Sequence, residues 1–208
     1  MALPSINSKN LAAAVQAAQF TPSTNNSGDI FCKFDYKTGD YLLGREADNI
    51  AGEEVVIHTD SIAIGWVCWS GGKPHKQLVS FIEPLPMQPE PMGADHWSEA
   101  RAIMFKTAEG EQVTLEGNSY GIRSGIDNLI TAIKQRASDP ANADYLYPKV
   151  KLSDTSYKHT AGNTIHNMVL DVVGWCDVEG NLQADTSAKA IAAEPEEEVK
   201  PTRRRRAA

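Results

Sequence analysis

Hydrophobic and polar positions alternate most regularly in the segment YLYPKVKLS, residues 145 to 153. Successive side chains of a strand point to opposite faces of its sheet. Val150 and Leu152 therefore share one face. Lys149 and Lys151 share the other face. The pattern predicts a half-buried strand whose lysines point toward solvent.

Shorter alternating or apolar runs predict further strands, and glycine-containing turns separate several of them. The predicted strands span residues 29 to 37, 41 to 43, 54 to 59, 61 to 69, 77 to 82, 102 to 107, 112 to 116, 147 to 153 and 168 to 175. Residues 83 to 93 contain four prolines without a regular pattern, which predicts an extended loop.

One segment has the periodicity of a helix. Five apolar residues recur at the spacing i, i+4, i+7, i+8 and i+11, which places them on one stripe. They are Ile122, Ile126, Leu129, Ile130 and Ile133. Ser119 or Ser124 can cap the start of this helix, and Pro140 follows its last turn. The pattern predicts a helix over residues 120 to 137.

The order of the elements predicts a mainly β fold with one principal helix, in the α+β class. A partly open barrel of the oligonucleotide-binding (OB) type, with the helix covering one end, has this order. A five-strand sandwich with one lid helix is the alternative. We expect one β-rich domain over residues 29 to 180 and a weakly ordered segment over residues 1 to 28. Residues 181 to 208 lack apolar periodicity, which predicts a disordered charged tail.

The composition allows a sizeable core, since 41% of the 208 residues are hydrophobic. Cys32, Cys68 and Cys176 lie in apolar, strand-like segments, and no CxxC pair occurs. Buried free thiols in a reducing compartment are the expected state. The sequence shows no signal peptide and no apolar run of about 18 residues, which predicts a soluble cytoplasmic protein without a membrane partner.

The formal net charge of the chain is -7. Such a chain is not expected to coat duplex nucleic acid through bulk charge, although a local basic groove is compatible with an acidic body. Residues 184 to 208 carry six Lys and Arg against five Asp and Glu, a sum of +1. Subtracting +1 from -7 leaves -8 for the rest of the chain.

The sequence contains no recognisable catalytic motif. The phosphate-binding loop, the dinucleotide glycine pattern, HExxH and GxSxG are all missing. The five histidines are scattered, and the carboxylates form no metal or catalytic cluster. We therefore expect no cofactor and no enzymatic activity. An enzyme of DNA metabolism whose site has no local signature is the third hypothesis.

Basic and aromatic residues interleave in four segments, at residues 33 to 37, 66 to 76, 120 to 123 and 145 to 159. Aromatic rings stack on the bases of a single strand while amines contact its phosphates. An ordinary half-buried strand with a solvated lysine face explains the same pattern. The candidate nucleic-acid-binding residues are Lys33, Lys37, Trp69, Lys73, Tyr147, Lys149, Lys151, Tyr157 and Lys158.

Several segments together resemble a family of tailed-bacteriophage proteins. They are GDIFCKFDYKTGDYLLG, IGWVCWSGGK, NSYGIRSGIDNLITAI, and YPKVKLSDTSYKH followed by GWCDVEG. The resemblance covers roughly residues 28 to 178, and it implies single-stranded DNA binding in replication or recombination. Many single-stranded DNA-binding proteins recruit partners through an acidic tip. Here Glu196 to Glu198 are followed by Arg203 to Arg206, so the resemblance does not extend to that recruitment.

The sequence therefore leads to one expected function and one alternative. We expect an accessory protein that binds single-stranded DNA without sequence preference, in the host cytoplasm if a phage encodes it. Phage or host replication proteins are expected as further partners through the tail, and the oligomeric state stays open. The alternative is a virion-associated or protein-interaction module without nucleic-acid binding.

Overall fold

The computed structural model describes residues 30–160 and 162–183. The segment at residues 1 to 28 that we expected to be weakly ordered lies outside the described residues. The predicted disordered tail also lies outside them from residue 184 onward.

The described chain forms ten strands, one α-helix and two short 3-10 turns. The strands are β1 (Ile30–Phe34), β2 (Tyr41–Leu43), β3 (Asp48–Asn49), β4 (Glu54–Ile57), β5 (Ala63–Ser70), β6 (Lys73–Ser80), β7 (Ser98–Lys106), β8 (Gln112–Gly117), β9 (Tyr147–Lys158) and β10 (Thr164–Cys176). The helix α1 spans Tyr120–Ala137, and the 3-10 turns span Thr59–Ser61 and Pro140–Asn142.

These elements confirm the mainly β class with one principal helix. Each predicted strand region contains a strand, and the helix has its predicted limits. The last hairpin is longer than predicted, because β9 continues to Lys158 and β10 already begins at Thr164. Within the described residues, no helix combines the length and the apolar character that crossing a bilayer requires.

The strands form one mixed sheet in the order β10-β9-β4-β7-β8-β1-β2-β3. β1 and β8 are parallel to each other, and the other neighbours are antiparallel. β7 is the branch point of the sheet. One edge of β7 pairs with β8, and its other edge pairs first with β5 and then with β4. The sheet therefore divides into a β5–β6 arm and a β4–β9–β10 arm.

The sheet curls around its core. Tyr41 on β2 is fully buried, and its ring packs edge-on against Phe34 with 5.0 Å between the ring centres. Its hydroxyl donates to the Ser153 carbonyl oxygen at 2.6 Å, and the Val169 carbonyl oxygen lies 3.0 Å away. These acceptors belong to β9 and β10, at the other end of the strand order. The contact therefore crosses the interior of the curl.

The curl does not close into a barrel. Within the described residues, no ladder joins β3 to β10, so both strands end the sheet. The predicted OB-like barrel is therefore not confirmed, and the structure has a mixed open sheet instead. The alternative five-strand sandwich is wrong, because a sandwich needs two packed sheets and these strands belong to one.

The helix α1 packs on the inner face of the curl, against β10, β7 and β8. Its predicted apolar stripe is buried, which confirms the reading of its periodicity. The Ser119 hydroxyl accepts a hydrogen bond from the Ile122 N–H and caps the helix. Gly125 faces β10, where an added Cβ would lie 2.6 Å from the Met168 carbonyl oxygen. The glycine therefore allows α1 to approach β10 closely.

Candidate nucleic-acid interface

The face of the sheet opposite α1 carries most of the candidate residues, and we call it the open face. Directly paired residues of neighbouring strands share a face. The register links Lys151, Lys149, Val56, Lys106, Met104, Thr114, Phe31 and Lys33 on the open face. The alternate residues of the same strands, such as Val150 and Phe105, are buried beneath α1.

Tyr147, Lys149 and Lys151 of β9 form one row on the open face, here called the lysine row. The predicted alternation is confirmed, because Val150 and Leu152 are buried whereas the three members of the row are half-buried or exposed. The structure thus brings together three of the nine candidate residues.

Carboxylates surround both lysines of the row. The Lys149 Nζ lies 2.6 Å from the Glu54 Oε2. Lys151 stands directly opposite Glu54 on β4 and Asp171 on β10. The hydrogen bond and the charge of Lys149 lower the pKa of the Glu54 carboxyl, so the pair is ionised at neutral pH. A phosphate therefore has to replace Glu54 at Lys149.

A concave pocket of about 510 Å³ adjoins Tyr147 at one end of the lysine row. We call it the acidic pocket, because Asp60, Asp177 and Glu179 line it against a single lysine, Lys106. Burial raises the pKa of Tyr147, and the charge of Asp60 adds to that increase. Sequence reasoning missed this site, because its carboxylates come from segments that are distant in the chain.

A second concavity lies on the open face of the β5–β6 arm, and we call it the Trp69 groove. Trp69 is 63% exposed and forms one wall of a space of about 220 Å³. The apolar walls include Val67, Pro74 and Leu78. The Lys76 Nζ lies 2.5 Å from the Glu116 Oε1 at the same site. The groove thus offers an aromatic ring beside an ammonium that already has a carboxylate partner.

The lysines predicted near the start of the chain do not join the lysine row. Lys33 shares the open face, but four strand steps separate β1 from β9. At about 4.8 Å per step, that is roughly 19 Å along the sheet. Lys37 lies in the turn after β1, with its Nζ 5.8 Å from the centre of the Tyr36 ring.

The other candidates are divided between two hairpins. Lys73 pairs with Ser70, so by alternation it faces away from Trp69. Tyr157 and Lys158 lie beyond the part of β9 that pairs with β4, near the end of the β9–β10 hairpin. Tyr157 is exposed, and the alternation along β9 places it on the same face as the lysine row. Lys158 lies on the opposite face of the strand.

The groups that bind metals or act as nucleophiles are dispersed in the described part of the chain. There, no group of three or more His, Cys, Asp and Glu side chains is arranged to hold a metal ion. The three cysteines are buried and free, as predicted. Burial raises the pKa of Cys32 to about 12, so this thiol is protonated at neutral pH.

Comparison with known proteins does not assign the chain to a family. No protein-family model, no curated protein and no solved structure matches it. The geometry of the open face, the acidic pocket and the Trp69 groove therefore carries the functional argument.

Proposed function

We propose that the protein binds single-stranded DNA without sequence preference, through the open face of its sheet. The observation that carries this proposal is the register of β9, which aligns Tyr147, Lys149 and Lys151 on a face without the helix. Lys106 lies on the same face, two strands away. A ring for stacking beside amines for phosphates is the combination that single strands require.

The carboxylates around the row determine the expected strength of binding. Lys149 is paired with Glu54, and the chain without residues 184 to 208 carries -8. Phosphates then compete with Glu54, and the acidic body repels the strand at long range. We therefore expect weak binding at physiological salt and much tighter binding at low ionic strength.

Two finer points belong to the same proposal. The curl of the sheet around its core and the helix between β8 and β9 support a relationship to OB-type folds. The proposed binding of single strands does not require that relationship, because it needs only one accessible sheet face. A role in phage replication or recombination rests on the resemblance of residues 28 to 178 to the tailed-phage family.

The lysine row can be tested by fluorescence anisotropy with labelled single-stranded DNA of mixed sequence, over a range of salt concentrations. Each phosphate contact on a single strand contributes about 0.7 to the slope of log K against log salt, so Lys149→Ala with Lys151→Ala flattens the slope by roughly 1.4. Tyr147→Ala instead costs about 1–3 kcal/mol of binding with little change in slope.

A matched control removes two exposed cations elsewhere. Arg45 lies in the turn between β2 and β3, and Lys134 lies on the solvent side of α1. The double variant Arg45→Ala with Lys134→Ala is expected to keep the wild-type slope. The proposal is wrong if this control flattens the slope as much, or if the protein does not bind single strands at low salt.

A specific observation favours a second candidate function, the docking of a partner protein. The Trp69 groove has apolar walls, and its ammonium is already paired with Glu116, which suits an apolar side chain better than a phosphate. Trp69→Ala separates the two candidates. A loss of about 1–3 kcal/mol in single-strand binding assigns the groove to the nucleic acid. Unchanged binding favours the protein partner.

A further inference from the structure

Phe31 on β1 places a second exposed aromatic ring on the open face. Its side chain is 53% exposed, whereas Cys32 and Phe34 of the same strand point to the inner face and are buried. Phe31 pairs with Thr114 on β8, and Thr114 pairs with Met104 on β7. The ring therefore shares a face with the lysine row and lies at the other side of the sheet.

The two sides of the open face repeat one arrangement. On β1, Lys33 follows Phe31 by two positions, and on β9, Lys149 follows Tyr147 by two positions. Residues two apart in a strand point to the same face. Each side therefore has an aromatic ring beside an ammonium, the two groups that contact a base and a phosphate of a single strand.

Lysines connect the two sides at a regular interval. Lys149, Lys106 and Lys33 lie on β9, β7 and β1, which are every second strand of this part of the sheet. At about 4.8 Å per strand step, successive lysines are roughly 10 Å apart across the sheet. Lys106 also borders the acidic pocket, but neither Lys106 nor Lys33 forms an ion pair with another described residue. Their amines are therefore available to phosphates.

The band between the two rings is positively charged, although the protein is acidic. Across the five strands from β9 to β1, strand residues of the open face supply four lysines and two carboxylates, a net charge of +2. They are Lys33, Lys106, Lys149 and Lys151 against Glu54 and Glu116. The whole chain carries -7. The band therefore attracts a polyanion that the chain as a whole repels.

We propose that a single strand crosses the sheet at right angles to the β-strands, from Tyr147 over Lys106 to Phe31, with one base stacked on each of the two rings. This inference rests on the proposed single-strand binding, and it adds the direction of the strand and a second stacking ring. The two rings lie on strands about 19 Å apart. A stacked strand advances about 3.4 Å per nucleotide, so about six nucleotides connect the rings.

The path can be tested by fluorescence anisotropy at low salt, with labelled oligothymidylates of about three and about ten nucleotides. The longer strand reaches both rings, whereas the shorter one reaches only one of them. With the longer strand, Phe31→Ala is expected to weaken binding about 5- to 140-fold, the equivalent of about 1–3 kcal/mol for one lost stacked base. The shorter strand can still bind at Tyr147, so its binding should weaken no more than about twofold.

Matched variants separate stacking from a change in the fold. Phe31→Tyr keeps an aromatic ring and is expected to bind the longer strand like the wild type. Phe31→Leu keeps apolar area without a ring and is expected to bind as weakly as Phe31→Ala. Tyr120→Ala removes a ring that is 71% exposed at the first residue of α1, and it is expected to leave binding unchanged.

The salt dependence tests the phosphate contact beside Phe31. Lys33→Ala is expected to flatten the slope of log K against log salt by about 0.7 with the longer strand. Arg45→Ala, in the turn between β2 and β3, removes the same charge and is expected to retain the wild-type slope.

The outcomes distinguish this path from the proposed function on which it rests. Weaker binding by Tyr147→Ala, together with wild-type binding by Phe31→Ala and Lys33→Ala, would overturn the path and keep the lysine row as the site. Equal losses for Phe31→Ala with both lengths would also overturn the path, because the effect would not require a strand that reaches both rings. A wild-type protein that binds neither strand would refute the proposed function as well.

Discussion

At the residue scale, Glu54 limits how far the lysine row can act on a phosphate. Its carboxylate is 2.6 Å from the Lys149 ammonium and stands opposite Lys151. Solvent screens ion pairs of this kind, so they contribute little to stability. Removing the carboxylate therefore frees an amine at little cost to the fold.

Glu54→Gln is expected to tighten single-strand binding at low salt, because a phosphate no longer has to displace the Glu54 carboxylate from Lys149. The melting temperature should stay nearly the same. Glu111→Gln, at the exposed turn between β7 and β8, removes the same charge away from the row. Equal tightening by both variants in the anisotropy titration would show that only the total charge matters.

Cys32 makes the stability of the fold depend on pH in the alkaline range. Its pKa rises from 9.0 to about 12 in the folded protein because of burial. Below pH 9 the thiol is protonated in both states, so its full contribution to stability is present. Between pH 9 and 12 the unfolded chain releases the proton and the folded chain does not. Stability therefore falls by up to about 1.4 kcal/mol per pH unit for this one group.

Cys32→Ala is expected to lower stability at neutral pH, because it removes a buried sulfur, and to make the loss of stability above pH 9 less steep. Urea denaturation at a series of pH values measures both effects. Burial also raises the pKa of Tyr41. The part of the alkaline loss of stability that is due to Tyr41 therefore remains in the Cys32→Ala variant. An unchanged slope just above pH 9 would contradict the role of Cys32.

At the scale of single elements, α1 holds the inner face of the curl. Its apolar spacing predicted both its limits and its buried residues. Gly121 and Gly125, four positions apart on this helix, are a further signal of close packing in the sequence. Cβ atoms at either position would lie within 3.0 Å of β10, so these glycines determine the distance between helix and strand.

Leu129→Ala is expected to destabilise the protein by about 2–5 kcal/mol, because Leu129 is 2% exposed and its loss leaves a cavity. Asn128→Ala, at an exposed position of the same helix, is the matched control and should stay within about 0.5 kcal/mol of the wild type. Chemical denaturation measures both. A Leu129→Ala variant as stable as the control would show that α1 does not hold the core.

At the scale of the whole molecule, most strands and α1 share one buried cluster. It is supplied by β1, β2, β4, β7 to β10 and α1, together with Ile50, Ile62 and Phe81 from the connecting segments. Residues 184 to 208 carry six Lys and Arg against five Asp and Glu and lack apolar periodicity, so they are not expected to add buried apolar surface to the fold.

Deleting residues 184 to 208 is therefore expected to shift the melting temperature by less than about 2–4 °C, the change that about 1 kcal/mol produces in a chain of this size. Differential scanning calorimetry measures the shift. The full chain with the four arginines replaced by Gln is the control for charge alone. A much larger drop for the deletion would show that the tail is part of the folded core.

The sequence by itself determined the local features of the fold, which depend only on residues that are close together in the chain. The alternation at β9 and the spacing in α1 arise from the geometry of a single strand or helix, so they could be read directly. The outward direction of Lys149 and Lys151 followed from the same geometry and is confirmed.

Only the tertiary structure decided which strands meet. A strand's alternation defines its two faces but not its partner, because pairing depends on packing across the whole core. The register therefore revealed the Glu54 partner of Lys149 and the distance of Lys33 from the row. The acidic pocket likewise exists only because the curl brings together Asp60, which follows β4, and Asp177, which follows β10.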